Sequence, residues 1–231
     1  MSAALRATPA VPSGTAGVAG PGWSRHAVPH VVQRTVLGMD SQLTGTGAVD
    51  HVLAGLADAL PVGAVACTHL VRDGHPHVSV SVDVPGGVGP AVVDVVAAAF
   101  GHRPLVVELL DDDDVRISHG DAPAGARVAV SEALTGSAGR AVLFPGSGAL
   151  MGEVTVSTVL TRSAVDRVVD LTGADVDTAM TVRTRDFVRP RRVGRRLELT
   201  VQPARGGTVV PFEDPDPTPC CAAHAEVRDR F

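Results

Sequence analysis

The chain has no lysine, no asparagine and no tyrosine, and only one isoleucine, Ile117. All twenty of its basic side chains are therefore arginine. These absences together point to a GC-rich coding bias, so arginine at a given place says little about a need for its planar fork. Aromatic residues are only 3% of the chain, five Phe and one Trp. That removes most of the stacking platforms a single-strand nucleic-acid binder uses. Three cysteines, two of them adjacent, are too few for a disulfide framework. No uninterrupted apolar run approaches the length of a membrane span. The first thirty residues lack the basic start and compact apolar stretch of a secretory signal. The default expectation is a cytoplasmic, reduced protein.

What is present is a chain of 231 residues, 45% hydrophobic, with a net charge of −5. That is enough apolar material for one sizeable core or two small ones, built mainly from Val, Leu and Ala. Residues 1–30 hold Pro9, Pro12, Pro21 and Pro29 among Gly and Ala, and the pattern predicts a flexible arm. A helix is predicted over 48–60, where Val49, Val52, Leu53, Leu56 and Leu60 recur at helical spacing and Pro61 ends it. Strands at 64–71 and 76–84 flank Asp73-Gly74, a two-residue hairpin signal. A second helix is predicted over 90–100, with Pro90 in its first turn. Strands follow at 104–110 and 115–119.

Residues 126–130 and 140–144 read as short strands, and Ser163 with Asp166 as the cap of a short helix. Further strands are expected at 180–189, 196–202 and 208–213. The fold class is then mixed α/β: a largely antiparallel sheet with helices on one face over 31–120, followed by a strand-rich portion over 121–213. The two portions read as separate or continuous, and a Pro-rich tail occupies 214–231.

Four features carry candidate chemistry. The tail contains Cys220, Cys221 and His224, a thiolate and imidazole set that suits zinc. Pro215, Pro217 and Pro219 stiffen its approach. A closed zinc site needs four ligands, so the tail supplies only part of one. The hairpin register decides whether Cys67, His69, His75 and His77 add to it. An Asp73-Gly74 turn pairs His69 with Val78 and Cys67 with Val80, which puts Cys67 and His69 on the valine face, away from His75 and His77. A three-residue loop would gather all four on one face.

Charge segregation is the second feature. Residues 183–205 hold eight Arg against Asp186 and Glu198, a net +6 against −11 for the rest of the chain. On one continuous strand, Arg183, Arg185, Arg189 and Arg191 would share a face with Phe187, and Arg189 would sit across from Glu198. Such a face suits a small anionic ligand or an acidic protein partner. A pI near 5.9 is wrong for a dedicated nucleic-acid binder.

The third is the glycine-rich segment Gly146–Gly152, whose spacing misses the dinucleotide fingerprint by one residue. The fourth is the acidic run Asp111–Asp114 with His119 and Asp121 nearby, where carboxylates suit a divalent cation and His119 a general base. No serine stands in a nucleophile elbow. The leading expectation is a binding or structural module with a C-terminal zinc site. The alternatives are an enzyme acting on an anionic small molecule, with His119 or His69 as base, and a regulatory protein working through its tail thiols.

Overall fold

The computed structural model describes residues 34–72, 74–110, 117–119 and 122–215. Twelve strands form one hydrogen-bonded sheet among these residues, mostly antiparallel, with four α-helices. The mixed α/β class and the strand-rich C-terminal part are as the sequence predicts. No described helix is long and apolar enough to cross a membrane.

β1 (Arg34–Leu43) lies inside the sheet, flanked by β3 (His77–Pro85) and β4 (Leu105–Leu110). Sequence reading misses β1, because Gly38, Asp40 and Ser41 break its alternation. Residues 35–41 are all buried, which shows why no alternation is needed: both faces of the strand are covered.

On one face, Leu37 and Met39 pack with Val80, Val82 and Val84 against two helices, α1 (Thr46–Ala54) and α2 (Pro90–Ala99). On the other lies α3 (Ala124–Thr135), which overturns the strand expected at 126–130. Ala126, Ala129, Val130 and Ala133 recur at helical spacing, and their small side chains bring α3 close to the sheet. Gly38 leaves room for this approach. A Cβ there would lie 2.3 Å from Val130 Cγ2 and 2.5 Å from the Ala126 carbonyl.

The hairpin of β2 (Val65–Val71) and β3 corrects the register expected for it. Its loop is longer than two residues, so Leu70 pairs with Val78, His69 with Ser79 and Cys67 with Ser81. A one-residue slip turns every side chain over. Cys67, His69, Ser79 and Ser81 therefore share the α3-facing side. Ala66 of β2 joins the valine face of β3.

Beyond β2 the sheet continues through β6 (Arg140–Leu143), β10 (Arg191–Val193) and β11 (Arg196–Ala204). It then passes to β12 (Thr208–Pro211), β9 (Thr181–Arg183) and β7 (Glu153–Thr155). β5 (Ile117–His119) extends the opposite edge, and β8 (Arg167–Val169) runs parallel to β11. The helix expected after Ser163 is replaced by α4 (Val156–Arg162), with Thr155 as its N-cap accepting from the Thr158 N–H. Ser163 ends that helix rather than starting one. A second core gathers under this half, around Val159, Val168, Val182, Leu199 and Val201.

Candidate functional site

Arg183, Arg185, Arg189 and Arg191, expected on one strand face, do not share one. β9 ends at Arg183, and Arg185 and Asp186 take left-handed backbone angles, φ 53° and 55°. The Gly152 carbonyl fixes this turn by accepting from the Thr184 N–H and hydroxyl at 2.8 and 2.9 Å. The four side chains then go separate ways. Arg183 pairs with Glu153 at the surface, and Arg185 with Asp214. Arg189 donates to Asp50 on α1 at 2.9 Å and lies over the Phe187 ring at 4.3 Å. The partner expected for Arg189, Glu198, instead stands opposite Arg191, because the hairpin turns at Gly194-Arg195.

Asp50 organises a charge cluster where the two halves of the sheet meet. It accepts from Arg140 Nη1 at 2.8 Å as well as from Arg189. Arg140 also pairs with Glu213 and approaches Phe187. Burial opposes the charge on Arg140, but the hydrogen bonds to Asp50 and Glu213 outweigh it and raise its pKa above the ordinary value. Two arginines and two carboxylates leave this cluster neutral.

Beside it opens a cavity of about 510 Å³. It lies along β2 where β6 has not yet begun, and its wall includes Thr68, His69, Arg72, Glu132, Arg140 and Arg191. Arg140 is matched by Asp50 and Glu213, and Glu132 is hydrogen-bonded to His69. Among the described residues, neither Arg72 nor Arg191 has an acidic partner. Arg191 is exposed at its place on β10. Among the described residues the cavity therefore presents two guanidinium groups without an acidic partner, Arg72 and Arg191, beside the Glu132 carboxylate that His69 engages.

His69 forms the cavity's inner wall. Its ring has no exposed surface, and both nitrogens are engaged, Nδ1 with Glu132 Oε2 at 2.8 Å and Nε2 with Ser81 Oγ at 2.8 Å. With Glu132 ionised, Nδ1–H donates to the carboxylate and Nε2 accepts the Ser81 hydroxyl. By distance this is a serine, histidine and carboxylate chain of the hydrolytic kind. Burial argues against that chemistry: Ser81 is fully buried in mid-sheet and does not line the cavity, so a substrate carbonyl does not reach it. The chain is better understood as a satisfied polar pillar that fixes α3 to the sheet. The same two bonds leave His69 with no nitrogen for a metal.

Cys67 sits beside this pillar, buried near Arg192, which also meets Asp83 at 3.1 Å. Burial pushes the Cys67 thiol from 9.0 up to about 11, against the opposing pull of Arg192. It is a structural thiol with little nucleophile at neutral pH. Because the folded pKa is raised, its contribution to stability is complete below pH 9 and is lost as pH rises through 11. The loss is about 2–3 kcal/mol by linkage. A chain without Lys or Tyr has few other side chains titrating there. Urea unfolding at pH 8 and pH 11 should show that drop in the wild type and a smaller one in Cys67→Ala.

The remaining candidates divide as follows. Gly146 has φ 78°, and a Cβ there would meet the Arg162 carbonyl at 1.9 Å. Close backbone packing, and not an open phosphate cradle, accounts for that glycine. Asp111–Asp114, the His119 side chain, Asp121, Cys220, Cys221 and His224 lie outside the described residues. Among the described residues, no group of three His, Cys, Asp or Glu is placed to hold a metal ion. The cavity itself was legible only in part: Arg191 and His69 stood among the candidates, whereas Arg72, Arg140 and Glu132 did not. Arg72 and Arg140 had no local motif to mark them, and Glu132 was hidden by the strand reading of 126–130. Comparison with known proteins finds no matching family model, no matching curated protein and no matching solved structure.

Proposed function

We propose that the protein binds a small anionic ligand, a carboxylate or phosphate, in the cavity beside β2. The observation that carries this reading is the pair Arg72 and Arg191, without an acidic partner among the described residues, in a cavity whose third arginine, Arg140, is matched. Guanidinium forks suit planar carboxylates and phosphates, and partial enclosure strengthens the attraction relative to water. Arg72 and Arg191 make the charge contacts, Thr68 contributes a hydroxyl, and the His69–Glu132–Ser81 pillar holds the wall in place.

Thermal melting in rising phosphate tests the proposal. A ligand at a hundred times its Kd stabilises by about 2.7 kcal/mol. Phosphate also stabilises proteins generally, by exclusion from their surfaces. The specific part is therefore the difference between wild type and Arg191→Ala. A saturable gain present in wild type and absent in the variant is expected. Equal, linear gains in both proteins would sink the reading.

Zinc held by Cys220, Cys221 and His224 is a separate proposal, supported by ligand chemistry alone. Metal analysis of untagged protein tests it, with about one zinc per chain expected and its loss in Cys221→Ser. Less than about a tenth of an equivalent, with melting unchanged by a chelator, would overturn it.

A further inference from the structure

The space around Arg191 does not end at the first cavity. Arg191 and Glu213 also line a second one, of about 460 Å³. Part of its wall is Leu171, in the turn after β8, and Phe212, just after β12. These are large apolar side chains left 56% and 54% exposed. The charges of this second space are nearly all committed within the fold. Glu198 accepts from Arg167 at 2.7 Å, and Arg189 is held by Asp50. Asp170 accepts from the Thr172 N–H, the Thr172 hydroxyl and the Ala174 N–H. Among the described residues Arg191 is left as the cation without an acidic partner, and it lines both chambers, the second of which carries the exposed Leu171 and Phe212.

A ligand that satisfied both chambers would carry a negative head and a hydrocarbon arm. We infer that the ligand is an amphiphilic anion, an alkyl carboxylate whose head group meets Arg191 and whose arm lies against Leu171 and Phe212. This inference rests on the anion-binding reading above and adds the ligand class to it. Charge complementarity fixes the position of the head, and the exposed pair fixes the direction of the arm. Covering the pair removes apolar surface from water, the term that makes affinity grow with chain length.

Calorimetric titration of the full chain with acetate, butyrate, hexanoate and octanoate tests it, with inorganic phosphate as the head-group control. Each methylene that comes to lie against Leu171 and Phe212 should tighten Kd by about threefold to fourfold, until the pair is covered. In the double variant Leu171→Ser, Phe212→Ser, acetate and phosphate should bind as in the wild type while the chain-length slope flattens. Both residues are exposed, so the variant should fold, which circular dichroism checks. Arg191→Ala should lose the whole series. A flat series with phosphate binding intact would overturn the amphiphile and leave the anion site standing. A slope that survives in the double variant would also overturn it. Failure of phosphate and acetate alike would overturn both readings.

Discussion

Asp50→Ala is expected to lower the unfolding free energy by about 3–5 kcal/mol, because it leaves two mostly buried guanidinium groups without their shared carboxylate. The Arg140 and Arg189 side chains are each 16% exposed, and Asp50 holds both. Arg140 keeps Glu213 after the substitution. Among the described residues, Arg189 keeps the Val188 carbonyl and the Phe187 face. Asp50→Asn retains the side-chain shape and one acceptor, so its cost should be smaller, about 2 kcal/mol. Urea unfolding of the three proteins measures the series. A cost below about 1 kcal/mol for Asp50→Ala would mean that the cluster is solvated and does not join the two halves of the sheet. The cluster also keeps Arg140 from adding free charge to the cavity, so the same substitution should strengthen phosphate binding in the molecules that remain folded.

Gly136→Ala should be comparably severe, at about 3–4 kcal/mol or more, for reasons of backbone rather than charge. Gly136 ends α3 in the left-handed region, at φ 67°, where any L side chain is strained. A Cβ there would also lie 1.7 Å from the Gly194 carbonyl oxygen, in the turn between β10 and β11. The Gly194 N–H donates to the Gly136 carbonyl at 2.9 Å, so the two turns are fastened directly together. Pushing them apart moves the end of α3 that carries Glu132 and the strand that carries Arg191. Gly148 is the control, with ordinary backbone angles and nothing within 4 Å of its Cβ position. Gly148→Ala should fall within about 0.5 kcal/mol of wild type. Equal melting temperatures for the two variants would contradict the close packing of the turns.

Local pattern alone was enough to place α1, α2 and the two strands of the β2–β3 hairpin, though not the hairpin's register or the end of α1 at Ala54, because Val49, Leu53 and the valines of β3 repeat at the periods those elements require. It failed where burial removed the period. β1 is covered on both faces, so Thr35, Gly38 and Ser41 are as buried as Val36 and Leu37, and no alternation marks it. α3 was obscured by its alanines, whose hydrophobic signal is small although their spacing is helical. The hairpin register turned on a few loop residues. Only the placement of α3 shows why a face of Ser79, Ser81 and His69 is buried.

The site follows the same rule. Which arginine stays free is a tertiary matter: eight arginines crowd residues 183–205, and their sequence spacing does not distinguish Arg189, neutralised by Asp50 from 139 residues away, from Arg191.

The most direct test of the anion site is nuclear magnetic resonance of the arginine side-chain Nε–H groups during titration with phosphate. The Arg191 resonance should move and saturate with the ligand, with Arg72 following, while Arg167 and Arg34, already held by Glu198 and Asp83, stay in place. Uniform small drifts across all arginines, or a saturating shift confined to Arg183 and Arg185 at the surface, would contradict the account.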